Sequence, residues 1–364
     1  MTLCAFTAKI LRFKCIMKIS DFDYDLPEEK IAIYPPEKRG DTHLLVLNKS
    51  TGKIEDKKYS DIVDYLSSDD VLVLNDTKVI KARMNAEKTT GGKVEIIILE
   101  KHGEVHDLKK QLVMYKGHIK AGDEIQIIGH DENRYTLVIK NILGNGVAEA
   151  ESEFDLREIT QDAGTVPIPP YLHRQSEKLD EERYQTIFAK FKGSVAAPTA
   201  SLNFTDELKK KLIDKGVKIC YVTLHVGLGT FLPVREDEVE KHNIHTEYFI
   251  IPEVTITSIR NAKKNGKSVV ALGTTVTRTL EYSADFINNS DKVGIYSGEA
   301  DIFIYPGYEF KVVDKLITNF HAPRSTVLLL ANAFAGANNL RNAYEHALKN
   351  DYLFLSYGDS MIIA

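Results

Sequence analysis

Residues 219–234 read I-C-Y-V-T-L-H-V-G-L-G-T-F-L-P-V. The β-branched, aromatic start reads as a buried strand. The run then meets His225 and breaks into Gly227-Leu228-Gly229-Thr230. A polar residue and two glycines after a buried strand are how an α/β protein builds a ligand crevice. Glycine lets the backbone turn sharply and come close to a ligand. The plainer alternative is a turn beside a hydrogen-bonded core histidine. Residues 268–272, S-V-V-A-L, form a second apolar run, followed by Gly273-Thr274-Thr275 and by V-T-R-T-L-E at 276–281. This pattern predicts strand, glycine turn, threonine N-cap and helix. The start of that helix would offer free amides and a positive dipole end to a polar or anionic group. An extra strand over 248–251 and a crossover helix over 252–264 separate the two runs. Both glycine-tipped strands then open on the same edge of one sheet.

The chain has 364 residues, enough for two domains or for one domain with a large insertion. Its 43% hydrophobic and 27% charged content predicts a folded protein with a substantial core. No apolar run is long enough to span a bilayer. The three cysteines, Cys4, Cys15 and Cys220, show no paired spacing, which suits a reducing cytoplasm and argues against a disulfide framework or a cysteine-based zinc site. Cys220, inside the buried run, reads as a small hydrophobe. With a net charge of −5, any nucleic-acid partner must be held by a local basic patch. Lys209-Lys210-Lys211 and Lys263-Lys264 are such candidate patches, although solvated helix faces account for them better.

Residues 1–17 carry Lys9, Arg12 and Lys14 and form a basic N-terminal extension, with a second Met at position 17. Residues 23–32 predict a short helix with Pro27 near its first turn. Residues 43–47 and 54–59 flank a turn and predict a hairpin; 60–65 predict a short helix and 71–74 a strand ending in Asn75-Asp76-Thr77. From 86 to 153 short alternating runs at 93–100, 107–115, 124–128, 135–139 and 146–150 predict a small inserted antiparallel β-barrel domain. The remainder, 18–85 with 154–364, reads as one discontinuous mixed-sheet α/β domain. Residues 167–171 read as a rigid bend. Thr205 caps a predicted helix over 206–215. Strands are expected at 302–306, 311–317 and 354–357, with helices at 325–334 and 339–349.

Several of these stretches together resemble the S-adenosylmethionine:tRNA ribosyltransferase-isomerases of queuosine biosynthesis. The matching motifs are F-D-Y-D-L-P at 22–27, V-L-N-D-T-K-V at 73–79 with Ala82-Arg83, and E-R-Y-Q-T at 182–186. They continue with V-A-A-P-T-A at 195–200, L-H-V-G-L-G-T-F at 224–231, G-T-T at 273–275 and R-T-L-E at 278–281. T-N-F-H at 318–321 and S-Y-G-D at 356–359 complete the set. The resemblance implies an α/β domain carrying an inserted barrel. It also implies transfer and isomerisation of the ribosyl part of S-adenosylmethionine onto the 7-aminomethyl-7-deazaguanine of a tRNA anticodon. Epoxyqueuosine-tRNA would form, with adenine and methionine released. S-adenosylmethionine is then a consumed substrate, no metal or organic cofactor is expected, and the expected state is a cytoplasmic monomer acting on the anticodon stem-loop.

The sulfonium of such a substrate acidifies its C5′ protons, so the reaction calls for a general base near that carbon and an acid for the departing adenine. Histidine suits either role. His225, His245 and His321 fall at predicted strand ends or loops, with His225 first; Glu247 and Asp359 are the carboxylate candidates. Thr274 and Thr275 would hold a carboxylate or ribose hydroxyl. Arg83, Arg183 and Arg278 could fork onto the methionine carboxylate or an RNA phosphate. Tyr184 and Tyr357 could stack on a base, with core packing the alternative. Asn75, Asp76, Thr77, Thr199, Gly227, Gly229, Thr230, Gly273 and Asn319 complete the substrate-binding set.

The chain departs from the family pattern at Thr42-His43, at Ser201 and Asn203, at Leu353, at Ala300 and around Tyr115-Lys116-Gly117. This admits a drifted tRNA-binding relative that keeps the fold without ribosyl transfer. Two other classes compete. A methyltransferase would need a third glycine and an acid ending the next strand, and neither is present. A metallohydrolase could use His242-x-x-His245-x-Glu247, but that spacing is not the helical H-E-x-x-H.

Overall fold

Val71, Leu72, Val73 and Leu74 are completely buried, and their side chains alternate between two apolar cores. This segment is an inner strand of a nine-stranded mixed sheet with helices on both faces. A sheet covered on both sides requires such unbroken apolar runs. The computed structural model describes residues 17–99, 109–130, 132–144, 146–227, 236–242, 244, 246–290, 292 and 294–364. In chain order the strands are β1 (His43–Leu47), β2 (Ile54–Lys58), β3 (Val71–Asn75), β4 (Thr77–Val79), β5 (Arg83–Lys88) and β6 (Lys93–Leu99). Then come β7 (Lys110–Lys116), β8 (Glu124–Ile128), β9 (Arg134–Gly144), β10 (Val147–Ser152), β11 (Phe191–Ser194) and β12 (Lys218–Leu224). The last are β13 (Glu247–Ile251), β14 (Val269–Leu272), β15 (Tyr296–Ala300), β16 (Lys315–Asn319) and β17 (Ser360–Ile363).

The large sheet runs β15-β13-β12-β3-β14-β16-β17-β1-β2. Strands β12, β3, β14 and β16 are mutually parallel, so their C-terminal ends open on one edge. The helix Glu253–Lys264 provides a crossover before β14, as its spacing predicts. One core holds Val73, Val222, Leu224 and Phe320; the other holds Leu72, Leu74, Leu272 and Phe204. Cys220 is buried and free, and burial pushes its thiol pKa up. Strands β5 to β10 close into a separate antiparallel barrel filled by Ile96, Ile98, Ile125, Ile127 and Leu137. A short parallel ribbon pairs β4 with β11.

Several sequence expectations are corrected. Residues 23–32 hold only a short 3₁₀ turn, Glu28–Lys30, with Pro27 before it. Residues 302–306 form no strand; β15, at Tyr296–Ala300, takes the edge position. The final strand is β17 rather than 354–357, which turn through Leu355 at φ 70°. The barrel also has a strand the sequence reading did not find, β5. No helix among the described residues is long and apolar enough to cross a membrane.

Candidate active site

The C-terminal edge of β12, β14 and β16 opens into a crevice of about 190 Å³. The motif 273–275 forms one wall, 318–323 a second and 196–200 a third, with Val226 between them. Three distant parts of the chain therefore share one hollow. Gly273 makes this possible. It sits at φ 104° and ψ 153°, a region essentially closed to other residues. Gly273 is also the residue that precedes the helix Thr274–Tyr282, and no side chain caps that helix. The expected threonine cap is thus absent, and both threonines face the crevice. Thr275 Oγ1 is buried with no hydrogen-bond partner among the described residues. A buried hydroxyl in a cavity wall without a partner is a place for a ligand's polar atom.

Among the described residues, no Asp, Glu, Lys or Arg lines this lobe. Its polar groups are hydroxyls, amides and His321. Thr199 Oγ1 donates to Asn319 Oδ1 at 3.0 Å, bridging two walls. His321 Nε2 lies 2.8 Å from Thr318 Oγ1, while its backbone N–H donates to Tyr344 Oη and its carbonyl accepts from the Tyr24 hydroxyl. Loss of hydration lowers the His321 pKa from 6.5 to about 3, so the ring is neutral at pH 7. In the unfolded chain the ring protonates near 6.5; in the folded chain only near 3. Between these values the unfolded state binds more protons, so stability falls as pH drops from 6.5 toward 3, by at most about 1.4 kcal/mol per pH unit. In His321→Gln the slope of stability against pH is expected to be shallower over this window. Urea unfolding from pH 4 to pH 7 checks it; parallel curves for the two proteins would show that His321 does not carry the effect.

A smaller lobe adjoins the first and shares Thr274, Thr275 and Val327 with it. It contains an ion pair between Arg278 and Glu247, which are 8% and 4% exposed. Glu247 Oε1 accepts from the Gly227 N–H at 3.3 Å. The Arg278 guanidinium also donates to the carbonyls of Ile302 (3.3 Å) and Ala300 (3.4 Å). A charged pair is therefore held next to a lobe whose described lining carries no charge.

Other residues chosen from the sequence lie elsewhere. His225 lines neither lobe. Its Nδ1 is 2.8 Å from Thr77 Oγ1 and its ring stacks on Tyr248. It directly precedes Val226 and Gly227, which line the larger and the smaller lobe. Asn75 is spent on the backbone N–H and C=O of Leu224, at 3.0 and 2.9 Å. Asp76 is 8% exposed and accepts from Thr223 Oγ1 at 2.6 Å; burial raises its pKa. Asp359 accepts from the backbone N–H groups of His43 (2.6 Å) and Leu353 (2.7 Å), and burial raises its pKa too; it clamps two loops outside the crevice. Tyr184 and Tyr357 are 0% and 2% exposed and pack edge-on against each other, so neither offers a face to a base. Arg183 donates to the carbonyls of Pro36 and Glu37, and Arg83 lies 3.6 Å from Glu95 on the barrel. Gly229, Thr230 and His245 lie outside the described residues.

The departures at His43, Asn203 and Leu353 gather around one turn. Asn203 Nδ2 donates to the Gly358 carbonyl, and the other two bind Asp359. None of the three lines the crevice. Three lining groups escaped the sequence reading: Tyr171, Ser356 and the Ser325-capped start of the helix Thr326–Ala335. Tyr171 and Ser356 share a hydrogen bond, and burial raises the tyrosine pKa to about 12. The Pro169-Pro170 pair before Tyr171, the motif S-Y-G-D at 356–359 and the predicted helix start at 325 are the available signals.

The family described as "Queuosine biosynthesis protein" matches residues 19–363. An S-adenosylmethionine:tRNA ribosyltransferase-isomerase of Chlorobium phaeobacteroides is 53% identical over 349 residues, covering 95% of this chain and all of that protein. The protein of that name from Francisella tularensis subsp. mediasiatica is 44% identical with the same coverage. The crystal structure of an S-adenosylmethionine tRNA ribosyltransferase from Thermotoga maritima superimposes with a TM-score of 0.54 at 33% identity, covering 94% of this chain and all of that one.

Proposed function

The chain belongs to the S-adenosylmethionine:tRNA ribosyltransferase-isomerase family of queuosine biosynthesis, and we propose that the two-lobed crevice is where it performs that reaction. The protein is a transferase-isomerase that moves the ribosyl part of S-adenosylmethionine onto the 7-aminomethyl-7-deazaguanine of tRNA, releasing adenine and methionine. One observation carries the placement of the substrate: a neutral lobe adjoins a charged one. S-adenosylmethionine has the same division, with a nucleoside at one end and a zwitterionic amino acid at the other. We place the adenosine among Thr199, Thr274, Thr275, Asn319 and His321. The amino acid end then reaches the ion pair, its carboxylate toward Arg278 and its ammonium toward Glu247. With Nε2 held by Thr318 Oγ1, the neutral His321 ring has its Nδ1 for the reacting sugar. It is our first choice for a proton-handling group. His225 acts through Val226 and Gly227, the residues that follow it.

Thr275→Val tests the ligand contact locally. It removes a hydroxyl that has no partner in the described structure, so stability should change by under about 0.5 kcal/mol, while S-adenosylmethionine affinity should drop about tenfold. Calorimetric titration reads it, and unchanged affinity would remove Thr275 from the site. The function itself is tested by incubating the protein with S-adenosylmethionine and tRNA bearing the aminomethyl-deazaguanine. Adenine release and the matching nucleoside mass shift are expected. RNA binding without adenine release, beside an active relative, would instead favour the drifted relative.

We also read 18–85 with 154–364 as the catalytic domain and 86–153 as an inserted barrel domain, supported by strands β5–β10 pairing into their own closed barrel. A cytoplasmic setting fits cysteines without paired spacing, and a monomer acting on the anticodon stem-loop is part of the same reading.

A further inference from the structure

The ribbon β4–β11 lies outside both the large sheet and the barrel, and its lysines are not neutralised. In its parallel register Lys78 is paired with Lys192, so both side chains leave the same face. Lys190 precedes β11, and its ammonium lies 4.9 Å from the centre of the Phe191 ring. Lys190 and Lys192 are exposed, Lys78 is half-buried, and Phe191 is 47% exposed. Among the described residues, none of the three lysines has a carboxylate within 4.0 Å. Neighbouring cations do: Lys81 pairs with Glu181 at 2.9 Å and Arg83 with Glu95 at 3.6 Å. The lysine runs picked from the sequence are partly neutralised as well, Lys211 by Glu207 and Lys263 by Asp314. Asp76 feels the charge of Lys190, but it is buried and bonded to Thr223. In a chain of net charge −5, Lys78 and Lys192 on one face of the ribbon, with Lys190 beside the exposed Phe191 ring at its edge, form a local basic site.

The ribbon runs directly into the crevice. Strand β11 ends at Ser194, whose hydroxyl donates to the Ala196 carbonyl at 2.6 Å and accepts from the Val226 N–H at 2.9 Å. Ala196 and Val226 line the crevice. Four chain steps lead from Lys192 to Ala196, a reach of at most about 14 Å. A base inserted in the crevice therefore leaves its flanking phosphates within range of the ribbon. We propose that ribbon β4–β11 docks the backbone of the substrate RNA, with phosphates on Lys78, Lys190 and Lys192 and an unpaired base on the Phe191 ring. Cationic grooves with aromatic platforms bind single-stranded RNA loops in this manner. The assignment rests on the reading that the crevice acts on a tRNA base.

The test is binding of the anticodon stem-loop across a salt series. Lys78→Gln/Lys190→Gln/Lys192→Gln should bind about 100-fold more weakly at 0.1 M salt, and the slope of log K against log salt should be shallower by about 2. Phe191→Ala should lose about tenfold with the slope kept. Lys263→Gln/Lys264→Gln, beside Asp314 at the N-terminal end of β14 and so at the opposite edge of the sheet, should stay within threefold of the parent. A triple variant with parental affinity and slope overturns the ribbon assignment while leaving the reaction intact. Parent protein that neither binds nor modifies the tRNA overturns both.

Discussion

Replacing Arg278 with methionine is expected to cost about 3–5 kcal/mol of stability and to abolish S-adenosylmethionine turnover. The substitution takes the guanidinium away from Glu247, a carboxylate only 4% exposed. Loss of stability alone would not separate function from folding, so the double variant Arg278→Met/Glu247→Leu is the decisive companion. Removing both charges of a buried pair is often neutral or stabilising. The double variant should therefore unfold at close to the parental denaturant midpoint yet fail to bind S-adenosylmethionine. Retained binding in a well-folded double variant would show that the pair is structural and that the amino acid end lies elsewhere.

Val327→Phe is expected to lower S-adenosylmethionine affinity about 100-fold while changing stability by under about 1 kcal/mol. Val327 is half-buried in the first turn of the helix Thr326–Ala335 and lines both lobes. A ring there fills the passage through which one ligand must run to touch both. Overpacking usually costs about 1–3 kcal/mol when it displaces packed neighbours; here the added atoms enter open space. Adenosine alone, which needs only the neutral lobe, should lose less affinity than S-adenosylmethionine. Equal losses for the two ligands would mean that the substrate does not bridge the lobes.

The parallel centre of the fold is legible because β12, β3 and β14 are apolar runs ended by glycine or a polar turn, and few other structures tolerate that composition. The barrel is legible from alternation. Strand β5 is not, because R-M-N-A-E-K sends only Met84 and the small Ala86 inward. The final strand was misplaced because 354–357 and 360–363 are both apolar, and only the former is forced to turn. Gly358 packs so closely there that a Cβ would come within 2.4 Å of the Leu353 carbonyl. For the site, the glycine and threonines of 273–275 are among the residues that line the crevice. The sequence could not show which way His225 points, since a two-residue period fixes alternation and not which face meets the ligand. Nor could it pair Glu247 with Arg278, 31 positions apart. Tyr184 and Tyr357 looked like recognition aromatics because burial of a motif residue cannot be read from the motif.

The most direct measurement is a crystal structure with S-adenosylhomocysteine, which keeps both ends of the substrate and lacks its reactive sulfonium. Density for adenosine beside Thr199, Thr275 and His321, with the amino acid end at Arg278 and Glu247, is the predicted result. Ligand density outside the hollow between residues 273–278 and 318–321 would contradict it.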